Sequence, residues 1–184
     1  LVIDFGSGCT DAYQVVRKGI LTITYSSLYR DSGSVITIIP TNYYVNGHKI
    51  EGTQKITNLG RNTNGNLSFK VEDINGKITK PNGGIVTWNS LRTNDWTEGE
   101  GTVLNFCDDR YEISGYLDGV ASDGTSFRFE SHTSDPLIKK VCCIWVQGGT
   151  LDIFVQNKFR FLFSSYIFHT AKCYQRVMAV LFFG

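Results

Sequence analysis

Runs of Val, Ile, Thr, Tyr and Phe of strand length are separated at short intervals by Asn46-Gly47, Asn64-Gly65, Asn75-Gly76 and Asp123-Gly124. Asn, Asp and Gly tolerate the positive φ that a tight hairpin demands, so each dipeptide is read as a turn between antiparallel strands. The pattern predicts an all-β chain, an antiparallel meander forming a β-sandwich or a barrel-like domain. The clearest hairpin joins 35–45 to 48–58 at Asn46-Gly47, with Pro40 inside its first strand marking a bulge or an edge position. Segments 67–74 and 77–80 flank Asn75-Gly76, and 85–90 follows the Pro81-Asn82-Gly83-Gly84 turn. Further strands are expected at 19–25, 111–117, 125–132, 139–147 and 150–156; no segment of useful length has a helical period.

Residues 91–107 are the least strand-like central stretch, and Glu98-Gly99-Glu100-Gly101 is their most polar part. They predict a long loop and a possible boundary dividing a single 1–184 domain into 1–95 and 105–184. A chain of 184 residues holds one or two β domains without needing metal or disulfide support.

Eighteen basic against seventeen acidic residues leave a net charge of +1, too little to draw in nucleic acid or an anionic membrane from a distance. Charged residues at 19%, alongside 19 Gly, suit an extracellular β protein with an exposed sheet and many turns. Arg160, His169, Lys172 and Arg176 interrupt the apolar tail before it reaches the length of about 18 residues that a membrane helix needs, so no transmembrane span is expected. The opening Leu1-Val2-Ile3-Asp4, with neither initiator Met nor signal peptide, reads as a processed chain or a fragment.

The five cysteines are Cys9, Cys107, Cys142, Cys143 and Cys173. The vicinal Cys142-Cys143 pair is expected to point to opposite faces of a strand. Buried structural thiols are one expectation; a single disulfide joining Cys143 to Cys173 is the other. Their spacing suits no zinc site, His48, His132 and His169 lack metal spacing, and neither metal nor cofactor is expected. Asp4-Phe5-Gly6 matches a kinase tripeptide without any accompanying kinase signature, and Gly-x-Ser-x-Gly is absent. Glu98, Glu100, Asp108, Asp109 and Glu112 are read as solvated loop charges; a glycosidase would need two of them to converge in one cleft, and calcium ligation by Asp108 and Asp109 lacks the regular spacing of a calcium loop.

The aromatic set is the most suggestive: Tyr43, Tyr44, Trp88, Trp96 and Trp145, with Arg92 between two tryptophans. Trp88 and Trp145 lie in expected strands, where a large aromatic anchors a core, and Tyr43-Tyr44 must project to opposite faces. Trp96 is expected to be exposed, being in the loop. Packing is the first reading of the set. Sugar stacking by Trp96, Trp88, Tyr43 and Tyr44, with Arg92 held over an indole by a cation–π contact, is the second.

Several segments resemble a family of uncharacterised secreted proteins and lipoproteins of Bacteroidota. They are Ile3-Asp4-Phe5-Gly6-Ser7-Gly8-Cys9-Thr10-Asp11, Val16-Arg17-Lys18-Gly19, Asn42-Tyr43-Tyr44-Val45-Asn46-Gly47, Val86-Thr87-Trp88-Asn89-Ser90 with Arg92-Thr93, and Cys143-Ile144-Trp145, in matching order over residues 3 to 153. The resemblance implies a cell-envelope address, at the extracellular or outer-membrane surface, and no particular activity. From about residue 158 the chain departs from it. Where the resemblance implies an ending like Asp-Tyr-Gly-x-Gly-x-Cys-Asp-Asn-Lys, this chain reads Lys172-Cys173-Tyr174-Gln175-Arg176 after the aromatic Phe159-Arg160-Phe161-Leu162-Phe163. A frameshift would produce such a departure and a divergent tail is the alternative; no function is rested on 159–184.

Three functions follow as expectations. The first is a non-catalytic envelope or extracellular β protein acting through its surfaces as an adhesive, scaffold or accessory subunit, with a protein partner or a second copy docking on edge strands. The second is a carbohydrate-binding module, and the third a glycosidase-like enzyme.

Overall fold

The computed structural model describes residues 1–102, 104–143 and 145–156, together with the backbone of 158–164. No helix occurs among the described residues. The strands are β1 (Val2–Asp4), β2 (Cys9–Thr10), β3 (Val16–Tyr25), β4 (Val35–Val45), β5 (His48–Arg61), β6 (Leu67–Thr79), β7 (Ile85–Glu98), β8 (Arg110–Val120), β9 (Ser126–Ser131), β10 (Leu137–Lys140), β11 (Val146–Gly148), β12 (Thr150–Val155) and β13 (Lys158–Ser164). They form one 13-stranded antiparallel sheet in the order β1-β3-β4-β5-β6-β7-β8-β9-β12-β13, with β2 beside β3 and the β10–β11 pair extending the edge of β8. The predicted all-β meander is therefore present. The sheet stays open, however, and is not closed into the expected sandwich or barrel.

Three of the four turn dipeptides close hairpins: Asn46-Gly47 between β4 and β5, Asn64-Gly65 between β5 and β6, and Asp123-Gly124 between β8 and β9. Asn75-Gly76 does not. It lies inside β6, where Asn75 takes φ 52° opposite Gly52 of β5, itself at φ 117°. A Cβ on Gly52 would stand 2.8 Å from the Asn75 carbonyl oxygen, so only glycine fits there. The same dipeptide makes a bulge here because the hydrophobic alternation resumes in register on both sides of it. Pro40 also marks a bulge, since the β4–β5 register shifts between Ile38 and Tyr43 and Asn42 sits at φ 46°.

Alternation along the strands sorts the side chains. One row across the sheet reads Tyr25, Ile36, Ile56, Val71, Arg92, Gly115, Ser131; its neighbour reads Thr24, Thr37, Lys55, Glu72, Leu91, Tyr116, Glu130, Asp152. One face is mainly apolar and the other mainly polar, as expected of an antiparallel sheet wetted on one side. The apolar face is best buried at one end, where Leu67, Phe69 and Trp96 pack with Ile56 and Tyr111. A strap of residues 26–34 lies over this end. Its Tyr29 ring stacks on Phe69 at 4.6 Å between centroids, and buried Asn58 ties it down: the Asn58 amide group donates to the Tyr29 carbonyl at 2.9 Å, and its backbone N–H donates to the Ser34 carbonyl at 2.8 Å.

Two expectations are corrected. Residues 91–98 belong to β7, not to a loop, so the β7–β8 connection begins only at Gly99; β7 and β8 pair from Glu98 with Arg110 to Thr87 with Val120, and the sheet is continuous across the expected boundary. The stretch 139–147 is not one strand: Cys142 and Cys143 sit between β10 and β11. The disulfide joins Cys107 to Cys142 with Cα atoms 4.8 Å apart, fastening the β7–β8 connection to the end of β10. Cys143 is a buried free thiol, as the expectation of buried structural thiols has it and not as the alternative of a bond to Cys173, which lies outside the described residues. Cys142 is exposed, so the vicinal pair does divide between surface and interior, through a turn instead of a strand.

A peptide map without reduction should recover the Cys107–Cys142 cross-link. Closing a loop across a sequence separation of 35 residues limits the unfolded chain enough that Cys107→Ser should cost about 4 kcal/mol of unfolding free energy in a denaturant titration.

Candidate functional site

Trp96 is buried, with 6% of its surface exposed, between Leu67 on β6 and Tyr111 on β8. Its ring stacks on Tyr111 at 5.7 Å, Arg30 of the strap lies 4.8 Å above it, and its indole N–H is buried with no acceptor among the described residues. The expected exposed loop tryptophan is thus a core residue, because the polar residues preceding it belong to a paired strand. Burial, reinforced by the neighbouring Tyr29 phenol, pushes the Tyr111 hydroxyl well above the ordinary tyrosine range.

The other aromatics are placed elsewhere. Tyr43 is nearly buried on β4 with the Phe5 ring 5.6 Å away, while Tyr44 turns to the opposite face under the Lys18 ammonium, 4.2 Å from the ring centroid. Trp88 is half-buried on β7, eight residues from Trp96 along one strand, or about 26 Å. Tyr43 and Tyr44 stand three strands from β7, about 14 Å across the sheet. The five residues expected to form a sugar-binding surface are not brought together.

The cation–π contact expected of Arg92 with Trp88 or Trp96 is not formed; among the described residues it is Arg30 that lies over Trp96. The Arg92 guanidinium donates to Asp73 Oδ2 at 2.9 Å; Ser90 Oγ donates to the same oxygen at 2.5 Å, and Gln54 Nε2 to Asp73 Oδ1 at 2.9 Å. The ion pair is largely shielded, with 8% and 14% of the two side chains exposed. Burial alone would raise the Asp73 pKa, but the Arg92 charge and the Ser90 and Gln54 hydrogen bonds outweigh it and hold the carboxyl below its ordinary value. The cluster locks β5, β6 and β7 together in the middle of the apolar face.

Next to it two glycines lie in strand interiors. Trp88 is flanked across the strands by Gly76 and Gly119. A Cβ on Gly76 would run into Cδ2, Cε2 and Cζ2 of Trp88, so the six-membered ring lies flat over that glycine; a Cβ on Gly119 would meet the Phe127 ring. On alternation, Lys77, Thr87, Asn89, Asp118 and Val120 project from the opposite face. With Asn75 and the chain at Gly76, Trp88 and Gly119 they border an open groove of about 510 Å³. The charges here are already engaged: Lys77 with Glu51 at 3.1 Å, and Asp118 with Arg128 through both carboxylate oxygens at 3.0 and 2.9 Å. Asn89 Oδ1 accepts the Asn75 backbone N–H at 2.7 Å. The Thr87 hydroxyl, the Asn75 side-chain amide and Asn89 Nδ2 make no hydrogen bond among the described residues, and all three residues are exposed.

Sequence reading missed this groove. The glycines at 76 and 119 are no signal of it, since their vacant Cβ positions face Trp88 and Phe127 on the other side of the sheet.

The weighed carboxylates are dispersed. Glu98 pairs with Arg110 at 2.7 Å, Glu100 with Arg61 at 2.6 Å, Asp108 accepts from the Thr102 hydroxyl at 2.9 Å, Asp109 is nearly buried in the β7–β8 connection, and Glu112 lies on β8 opposite Asp95. His48 contacts the Asn46 carbonyl and His132 lies 2.9 Å from Asp152; His169 is outside the described residues. Among the described residues, no group of three or more His, Cys, Asp or Glu could hold a metal ion, and no helix is long and apolar enough to cross a membrane. No family model, curated protein or solved structure matches the chain.

The depressed Asp73 pKa sets a pH signature. Its stabilisation is complete above the unfolded carboxyl value of about 3.9 and is lost as pH falls through the lower folded value. Urea titrations between pH 7 and pH 2 should show a fall over that window that is shallower in Asp73→Asn. Arg92→Met, which leaves the carboxylate without its cation, should cost about 3 kcal/mol at pH 7.

Proposed function

We propose that this chain is a non-catalytic β protein of the extracellular or outer-membrane surface that works through its surfaces, as an adhesive, scaffold or accessory subunit. The observation that carries this reading is the open sheet, whose end strands β1 and β13 each pair on one side only among the described residues. On β1 the inward groups are accounted for: Leu1 and Ile23 exchange two hydrogen bonds at 2.8 Å, and the Phe5 N–H donates to the Gly19 carbonyl at 2.9 Å. In an antiparallel ladder this pattern alternates, so the N–H and C=O groups of Val2 and Asp4 face away from β3. An extended strand from a partner or a second copy adds to such an edge without any special motif.

Two further features support the reading. The apolar face is covered by the strap at one end, while Tyr25, on the same face, is 64% exposed, leaving apolar surface for a partner. The Cys107–Cys142 disulfide fits an oxidising compartment, in keeping with the envelope address implied by the resemblance. The sugar-binding surface built on Trp96 receives no support, since that ring is enclosed.

Sedimentation velocity over a concentration series, with affinity capture from an envelope extract, tests the proposal. Self-association or one specific captured protein is expected. Val2→Pro, which deletes an outward N–H while leaving the β1–β3 ladder intact, should weaken it at least several-fold. A strictly monomeric chain that captures nothing would sink the reading.

A further inference from the structure

We infer that the groove over β6, β7 and β8 binds a neutral saccharide chain, with Thr87, Asn75 and Asn89 supplying the hydrogen bonds. The inference goes beyond edge docking: it uses the middle of the sheet, and either can fail without the other.

The chemistry of the groove narrows its ligand by elimination. An anion would find the Lys77 ammonium already held by Glu51 and the Asp118 carboxylate close by. A cation would find Asp118 engaged through both oxygens by Arg128. A purely apolar ligand would cover the Thr87 hydroxyl and the free amide groups of Asn75 and Asn89 without replacing their bonds to water, a desolvation cost with no return. What remains is a neutral molecule that hydrogen-bonds at several points and carries some apolar surface. A pyranose fits: its hydroxyls both donate and accept, matching a hydroxyl and side-chain amides that do the same, while its C–H face can rest on Val120 and the Lys77 stem.

The shape points to a chain. A groove of about 510 Å³ has the volume of an ordinary ligand site, but it is open to solvent and does not enclose a small molecule. Its floor is strand backbone paired on both sides, and the Asn75 N–H to Asn89 Oδ1 bond fixes the two amide-bearing residues relative to each other. The site is therefore formed before the ligand arrives, which lowers the ordering cost of binding.

The test is an NMR titration of the ¹⁵N-labelled protein with cello-, xylo-, manno- and N-acetylglucosamine oligosaccharides, with an oligogalacturonate as the charged control. At least one neutral oligosaccharide should shift the amides of Gly76, Thr87, Asn89 and Gly119 saturably, and the charged control should not. Thr87→Val, which keeps a β-branched strand residue, should weaken binding several-fold, and Thr87→Val with Asn89→Ala about tenfold, the loss expected of two hydrogen bonds. Trp96→Phe and Val2→Pro should leave it unchanged. The inference is overturned if no neutral oligosaccharide shifts these amides at millimolar concentration, if the shifts fall elsewhere, or if Thr87→Val binds as the parent does. In each of those cases the edge-docking reading keeps its own separate test.

Discussion

A line of backbone bulges crosses β3 to β7, and the rest of the molecule is arranged around it. The register shifts between Lys18 and Ile20, between Ile38 and Tyr43, between Glu51 and Thr53, and between Asp73 and Gly76 lie on successive strand pairs. Bulges bend the strand that carries them and increase its twist, and a repeated line of them bends a sheet as a whole. A flat sheet of this width would leave its entire apolar face in water. Here a short strap and a few large side chains shield the most apolar end of that face. The groove is a by-product of the same line, because the bulge that frees the Asn75 N–H from the ladder also turns it toward Asn89.

Polar contacts, as much as apolar packing, hold the bent sheet in one register. Asn58, 2% exposed, forms three hydrogen bonds with the strap and a fourth to its own neighbour Gly60. The Asp73 cluster links three adjacent strands through one carboxylate. Such networks contribute little net stability where they only replace bonds to water, but breaking one member leaves buried groups unpaired. Since the apolar cluster is small, the penalty for slipping out of register falls largely on these polar groups.

The strands were legible in the sequence wherever alternation and a turn dipeptide agreed, as at Asn46-Gly47, where both hairpin arms begin or end at the expected residue. Asn75-Gly76 misled because the deciding residue, Gly52, lies on another strand. Residues 91–98 read as a loop because the sequence displays Arg92, Asn94, Asp95 and Glu98 without their partners. Asp73 and Arg110, which satisfy two of those charges, are distant in the chain. The cysteine pairing was hidden for the same reason, since connectivity depends on which turns the sheet brings together. Of the candidate site, Trp88 was singled out from sequence, but its flat seating required glycines from two neighbouring strands. Those glycines, and the amides and hydroxyl on the other face, become a site only through register.

Register also explains how a sheet with many charges can offer a neutral surface. On the polar face Lys77 and Lys49 both reach Glu51, and Arg128 reaches both Asp118 and Glu130, so cations and carboxylates compensate within a few ångströms. Each such pair is worth little to stability at an exposed site. Their effect is on selection: with local charges cancelled and a net charge of +1, neither face attracts partners by long-range force. Recognition must then depend on short-range fit, on backbone groups at an edge or on uncharged donors and acceptors in a groove. Both proposed modes are of that kind.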